Sequence, residues 1–147
     1  MIDPPQPTTR LGDWYGNVLF SRYHRLIIFV SERSLLPVIV PLRERKLLLP
    51  NFRSRLSELL FHLDVSEKAI SFELAEMSQA SIARTANPSV LGTMNDFMRS
   101  AKAYIQMHDD FDLLDLELWL AETPCGPKVY RYPDKLAPHL LAHSDIR

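Results

Sequence analysis

The amino-acid sequence predicts an α+β fold, in which an antiparallel sheet of three to four strands packs against an αα-hairpin and a long central helix. Short apolar runs separated by turns near the N-terminus predict the strands. Apolar residues at helical spacing in the middle of the chain predict the helices, most clearly between residues 88 and 107. Strands grouped in one part of a chain and helices in another are typical of the α+β class.

Three strands are predicted before residue 41. The first runs from Trp14 to Phe20. The second, Arg25 to Val30, is β-branched and almost wholly apolar, which predicts a central strand covered on both faces. Leu35 to Val40 is the third, and Pro37 places it at a sheet edge or near its own start. Because the turns between these runs are short, we expect an antiparallel meander.

Two consecutive helices are predicted next. Pro50 stands at the start of the first, which continues to about Leu63 with apolar residues at helical spacing, namely Phe52, Leu56, Leu59, Leu60 and Leu63. Ser66 is a suitable N-cap for a second helix that covers about Glu67 to Gln79. The short turn between them predicts an αα-hairpin on one face of the sheet.

The central helix is the strongest periodic feature of the chain. The short segment Ser81 to Thr85 is a candidate fourth strand that leads to it. Asn87 is a plausible N-cap and Pro88 a plausible first helical residue, since a missing N–H costs nothing there. The helix should reach about Met107, with an apolar stripe of Val90, Leu91, Met94, Phe97, Met98, Ala101, Tyr104 and Ile105.

Two predicted elements follow the central helix. In Leu113 to Glu122, alternating leucines fit a strand, whereas the Leu, Glu and Ala content without β-branched residues fits a helix. We favour the helix and keep the strand as the alternative. A final short helix is predicted for about Asp134 to His143, broken or kinked by Pro138.

Length and composition indicate one domain. The chain has 147 residues, so residues 11–147 are predicted to form a single α+β domain behind a mobile, proline-rich arm of residues 1–10. Formal net charge is −1 and the basic residues form no strong block, which disfavours a nucleic-acid partner. The single cysteine suits a reducing cytoplasm. With no signal-like start and no apolar run near the ~20 residues of a membrane helix, we expect a cytoplasmic protein without a membrane partner.

Several phrases of the chain resemble one protein family. They are Leu11 to Tyr15, Phe29 to Arg33, Leu35 to Val38, Ser89 to Phe97 and Leu120 to Pro127. The chain is similar over most of its length to a family of uncharacterised bacterial proteins, a domain of unknown function often carried on plasmids and other mobile DNA. The resemblance implies a small cytoplasmic bacterial protein encoded on mobile DNA, such as an integron-cassette product, and implies no reaction, cofactor or catalytic residue.

Candidate binding residues lie on the central helix. Gly92, Asn95 and Asp96 fall outside its apolar stripe. Gly92 costs about 1 kcal/mol relative to alanine in a helix interior. A closely packed partner would offset that cost, so these residues could face a ligand, a strand edge or another subunit. The simpler interpretation is that Asn95 bonds to a neighbouring loop and Asp96 pairs with Arg99.

Two further sets of residues are candidates. Arg84 and Asn87 precede the helix N-terminus, where an anion could bind, although a pairing of Arg84 with Asp13 or Glu32 is favoured. Asp13, Trp14 and Tyr15 meet at the entry to the sheet, where Trp and Tyr either anchor interfaces or fill the core margin.

The remaining chemical signals are weak, and we predict no catalytic residue, no metal ligand and no cofactor. Cys125 has no histidine near it in sequence. His139 and His143 have a metal-binding spacing but no matching third ligand. The carboxylates Asp109, Asp110, Asp112 and Asp115 lack the Gly and terminal Glu of a calcium loop.

Two functions remain open from the sequence. The favoured one is a non-catalytic binding or protein-interaction module, which would contact a protein partner or a second copy of itself through the central helix and the Trp14–Tyr15 region. The alternative is a small enzyme or toxin-like effector that acts on RNA or a nucleotide. In that case Arg84, Asn87, Asn95 and Asp96 would line a cleft.

Overall fold

Three antiparallel strands form the centre of the protein, and helices cover both of their faces. The computed structural model describes residues 9–21, 24–43, 45–77, 82–83, 88–125 and 132–142. Its elements in chain order are β1 (Trp14–Ser21), β2 (His24–Ser31), β3 (Pro37–Pro41), α1 (Leu48–His62), α2 (Glu67–Glu76), β4 (Ile82–Ala83), α3 (Pro88–Met107), α4 (Leu113–Ala121) and α5 (Pro133–Ala142). The predicted α+β class is confirmed.

The sheet has the strand order β3-β2-β1-β4. β1 and β2 are antiparallel with Trp14 opposite Ser31, and β2 and β3 are antiparallel with Ile28 opposite Ile39. The predicted meander is therefore present, with β2 central and β3 at an edge. The candidate fourth strand is also present, but it is two residues long and runs parallel to β1.

Side chains alternate between the two faces of the strands, so the sheet separates two cores. The first core lies under α1, α2 and α5. Its largest members are Trp14, Phe29 and Phe52, whose rings pack edge to face at centroid distances of 5.0 Å for Trp14–Phe52 and 4.8 Å for Phe29–Phe52. The second core lies under α3 and α4, and the strands contribute Leu19, Leu26, Ile28, Val30 and Ile39 to it.

The αα-hairpin forms as predicted. α1 begins at Leu48, two residues before Pro50, which falls within the first turn, where its missing N–H is tolerated. Ser66 caps α2, since its hydroxyl oxygen accepts a hydrogen bond from the Ala69 N–H at 3.1 Å. α2 ends at Glu76, and the predicted end at Gln79 lies outside the described residues.

α3 has the predicted length and most of the predicted buried stripe. Val90, Met94, Phe97, Ala101 and Ile105 are buried in the second core. Leu91 is a correction, because its side chain is 44% exposed rather than part of the core. One turn of helix advances 3.6 residues, which places Leu91 beside Asn95 on the outward side.

α4 resolves the alternative left open by the sequence in favour of the helix. Asp112 caps it, its side chain accepting a hydrogen bond from the Leu114 N–H at 3.1 Å. Leu116 and Leu120 are buried in the second core, whereas Leu114 and Leu118 pack against the first. The leucines alternate because α4 lies across the edge of the sheet and contacts both cores.

The start of the described chain is fixed to α2. Thr9 is only 2% exposed, and the buried carboxylate of Glu73 accepts hydrogen bonds from the N–H groups of Arg10 at 2.8 Å and Leu11 at 3.1 Å. Gly12 follows with φ of +79°, a conformation that favours glycine. Thr9 and Arg10 are the last two residues of the predicted arm, and residues 1–8 of that arm lie outside the described residues.

None of the helices in the described part of the chain combines the length and the apolar character needed to cross a membrane.

Candidate functional site

The three candidate residues of α3 point outward. Gly92, Asn95 and Asp96 are all exposed. Asp96 Oδ1 lies 3.5 Å from Nη1 of Arg99, an exposed pair in agreement with the simpler interpretation of the sequence. No described atom lies within 4 Å of the position that a Cβ on Gly92 would occupy. A closely packed neighbour within the described chain therefore does not account for Gly92.

Arg84 and Asn87, the candidate anion-binding residues, lie outside the described residues. The structure describes the elements on either side of them, β4 and α3. No described contact joins Asp13, Asn95 and Asp96 into one cleft.

The residues at the entry to the sheet have different environments. Trp14 is fully buried in the first core, so its side chain presents no contact surface. The Tyr15 hydroxyl donates a hydrogen bond to Glu32 Oε2 at 3.4 Å. Burial raises the pKa of Asp13, and the negative charge of Glu32 adds to this effect, while Arg33 opposes it. Burial also raises the pKa of Tyr15, together with the charges of Glu32 and Asp13. These contacts hold β1 to the turn after β2.

A buried carboxylate that the sequence interpretation missed lies on the inner side of α4. Glu117 Oε2 accepts a hydrogen bond from the Ile39 N–H at 2.7 Å, and Oε1 accepts one from Nη2 of Arg55 on α1. Burial raises the pKa of Glu117 to about 8, against the opposing effects of the Arg55 charge and the Ile39 N–H. The only signal in the sequence is one glutamate amid the leucines of residues 113–120.

Glu117 fixes the position of α4. β3 is an edge strand, and an edge strand carries N–H and C=O groups that lack a neighbouring strand. The Glu117 side chain takes the place of such a neighbour at Ile39, and its bond to Arg55 ties the same point to α1. The helix is thus held by two cores and by the hydrogen bonds that join Glu117 to β3 and to α1.

The outward side of α4 carries the strongest candidate for a functional surface. Asp112, Asp115, Trp119 and Glu122 are spaced by three, four and three residues, which places them on one face of the helix. All four are exposed, and the Trp119 side chain is 43% exposed. We refer to these four residues as the α4 face.

Two aromatic residues at the end of α3 extend the α4 face. The ring centroids of Tyr104 and Trp119 are 5.0 Å apart with an interplanar angle of 40°. His108 also stacks on Tyr104, with ring centroids 4.1 Å apart and an interplanar angle of 18°, and its Nδ1 lies 2.9 Å from the Tyr104 carbonyl oxygen. Three rings in sequence thus form a partly exposed aromatic surface between α3 and α4.

A groove of about 560 Å³ lies at the loop between α3 and α4. Its lining includes His24, Arg25 and Arg43, and also Asp109, Asp110 and Phe111 from the loop itself. The rings of His24 and Phe111 meet edge to face at 4.9 Å. The groove thus contains both basic and acidic side chains, whereas the charged residues of the α4 face are all acidic.

The described residues hold no group of three or more His, Cys, Asp or Glu side chains that could bind a metal ion. Cys125 is buried, and its thiol donates to the Thr123 carbonyl oxygen at 3.2 Å. His139 is exposed, and its predicted companion His143 lies outside the described residues.

A family model described as "Domain of unknown function (DUF6933)" matches residues 2–136. No curated protein matches the chain. Among solved structures, the chain is similar to one chain of "CryoEM structure of simian T-cell lymphotropic virus intasome in complex with PP2A regulatory subunit B56 gamma", with 15% identity and a TM-score of 0.48. The similarity covers 87% of this chain and 55% of that chain, so this chain spans about half the length of that one.

Proposed function

Since the chain belongs to the DUF6933 family, a domain of unknown function, we propose that the protein is a non-catalytic interaction module that binds a protein partner through the α4 face. The observation that carries this proposal is the exposed Trp119, which packs on Tyr104 at the protein surface. Tryptophan and tyrosine are enriched among the residues that contribute most to protein–protein binding.

The attachment of α4 supports the proposal. A binding surface is most effective when the element that displays it is rigid, because little freedom is lost on association. The inner side of α4 is held by Leu116 and Leu120 in one core, by Leu114 and Leu118 against the other, and by Glu117. Trp119 therefore projects from a helix whose position is fixed before any partner arrives.

A second copy of the chain is a poorer occupant than a different protein. In a two-fold contact the same patch meets itself. The carboxylates of Asp112, Asp115 and Glu122 would then face their own counterparts, and like charges across an interface weaken binding. The same charges disfavour nucleic acid, whose phosphates are negative.

Selection from a random 12-residue peptide-display library tests the proposal. The full chain is immobilised, and the enriched peptides are synthesised and titrated by fluorescence polarisation. We expect Trp119→Ala to weaken binding by at least tenfold, a loss typical of a central aromatic contact. Phe72→Ala is the matched control, because Phe72 is an exposed aromatic residue on a different helix, α2. It should change affinity by less than twofold.

Three outcomes would contradict the proposal. The first is selection of peptides that bind wild-type protein and the Trp119→Ala variant equally. The second is repeated selection without any enriched peptide. The third is a concentration-dependent dimer in sedimentation that Trp119→Ala abolishes, which would assign the α4 face to self-association.

The origin of the protein is part of the same proposal. The resemblance of the phrase Ser89 to Phe97 to proteins carried on mobile DNA supports a bacterial, cytoplasmic interaction protein encoded on a plasmid or an integron cassette. Sequencing of the flanking DNA tests this, and recombination sites beside the gene are the expected result. A position in a conserved chromosomal operon would contradict it.

A further inference from the structure

The segment of the chain that contains Trp119 carries charge of one sign. Residues 103–125 contain no Lys and no Arg, but they contain the acidic residues Asp109, Asp110, Asp112, Asp115, Glu117 and Glu122. Glu117 is buried against Arg55, which leaves five exposed carboxylates in this segment. Asp109 and Asp110 line the same groove as Arg25 and Arg43. Asp112, Asp115 and Glu122 remain on the α4 face, and none of them forms an ion pair with another described residue.

The aromatic rings complement these carboxylates. A guanidinium or ammonium group over the face of Trp or Tyr is attracted by the ring electrons, and Trp gives the strongest such interaction. On α4, Asp115 precedes Trp119 by one turn and Glu122 follows it by about one turn. A cation that stacks on Trp119 would therefore have a carboxylate within reach on either side.

We propose that the partner segment bound by the α4 face is basic, with at least two Arg or Lys side chains. This inference rests on the proposed function and names its partner class. From Asp112 to Glu122 the helix advances about 15 Å. An extended peptide covers that distance with four or five residues. The segment would place one cationic side chain on Trp119 and the others beside Asp112, Asp115 or Glu122.

Titration of the full chain with two synthetic peptides tests the charge preference. The probes are Ac-RGRGR-NH2 and its charge-reversed counterpart Ac-EGEGE-NH2, followed by ¹H–¹⁵N NMR spectra at 20 and 200 mM NaCl. Trp14 is buried and Trp119 exposed, so the two indole N–H signals separate the core from the surface. We expect the arginine peptide to shift the Trp119 indole and the amides of α4, with at least fivefold weaker binding at the higher salt concentration.

Two double variants test which carboxylates bind the arginine peptide. Asp115→Asn with Glu122→Gln should weaken binding of the arginine peptide at least fivefold. Glu67→Gln with Glu76→Gln is the matched control, since it removes two exposed acidic charges from α2. Its effect should stay below twofold. An equal effect of the two pairs, or equal shifts with both peptides, would overturn the inference.

The peptides selected from the display library also distinguish a failure of this inference from a failure of the proposed function. If peptides selected from the library depend on Trp119 but carry no excess of Arg and Lys and bind independently of salt, the basic partner is wrong and the interaction surface stands. If no selected peptide depends on Trp119, the interaction surface itself is wrong.

Discussion

Gly16 and Gly92 differ in how closely other atoms pack around them, and this difference shows which of them the fold requires. At Gly16, on β1, a Cβ would lie 2.7 Å from Cε1 of Phe29, so the missing side chain allows the Phe29 ring to cover the strand. At Gly92, on α3, a Cβ would meet no described atom within 4 Å. Gly16 is therefore required by packing, whereas nothing in the described structure requires Gly92.

The two alanine substitutions should act in opposite directions. We expect Gly92→Ala to raise the free energy of unfolding by up to about 1 kcal/mol, because alanine is the better helix former. Gly16→Ala should lower it by about 1–3 kcal/mol, the usual cost of overpacking. Urea denaturation of both variants provides the measurement. A loss of stability in Gly92→Ala would mean that another part of the chain packs against this position.

The pH dependence of stability is the second prediction at this scale. The pKa of Glu117 in the folded protein is raised to about 8, above the value of 4.5 for an unperturbed glutamate. The folded state thus retains a proton that the unfolded state has lost, so the contribution of Glu117 is complete below about pH 4.5 and disappears as pH rises through about 8. One such proton corresponds to a slope of about −1.4 kcal/mol per pH unit.

Urea denaturation between pH 5 and 9 checks this prediction. We expect Glu117→Gln to remove most of that slope, because glutamine cannot titrate. Glu76→Gln, a change of the same type at an exposed position on α2, should leave the slope as in wild type. Burial also raises the pKa of Glu73, which acts in the same direction, so the difference between variant and wild type is the quantity to compare. Equal slopes would show that Glu117 is ionised throughout.

At the level of elements, α4 depends on Glu117 for its attachment to β3. Glu117→Ala should lower the free energy of unfolding by about 1–3 kcal/mol, since it leaves the buried Ile39 N–H without its acceptor. In the same variant, hydrogen exchange of the Ile39 amide should be faster than in wild type, because this N–H loses its acceptor. Glu58→Ala is the matched control, as Glu58 is the exposed partner of the same Arg55. It should cost less than about 1 kcal/mol.

Most elements could be predicted because their residues carry a local signal. The Pro37 position, the Ser66 cap and the apolar stripe of α3 each depend on neighbours in sequence. The identity of α4 was harder to predict because its leucines contact two cores, which makes its apolar side wider than the usual single stripe. The role of Glu117 could not be predicted, since it depends on a strand edge 78 residues away.

The candidate site shows the same limit. Trp14 and Trp119 are the same residue type, yet one is fully buried and the other is the centre of the proposed binding surface. Only the packing of α4 across the sheet edge decides which face of that helix is outward. The spacing of the acidic residues between 112 and 122 can be read from the sequence. Their position beside the rings of Tyr104 and His108 is known only from the structure.

At the level of the whole molecule, α4 packs against both cores and should therefore couple their unfolding. We expect a single unfolding transition in which two probes coincide. The first probe is Trp14 fluorescence in a Trp119→Phe variant, which reports the first core. The second is far-UV circular dichroism, to which α3 in the second core contributes strongly as the longest helix described. Transitions at different urea concentrations would show that the cores unfold separately.

The long separation between β3 and α4 also has a consequence for synthesis on the ribosome. Ile39 emerges 78 residues before Glu117. At the usual rates of translation of about 5–20 residues per second, roughly 4–16 s pass between the synthesis of Ile39 and that of Glu117. During this time the edge of β3 is not covered by α4. An uncovered edge strand invites pairing with other chains, and proline limits such pairing because it has no N–H to donate. Pro37 and Pro41 stand at the two ends of β3, so the nascent chain carries its own protection against aggregation until α4 arrives.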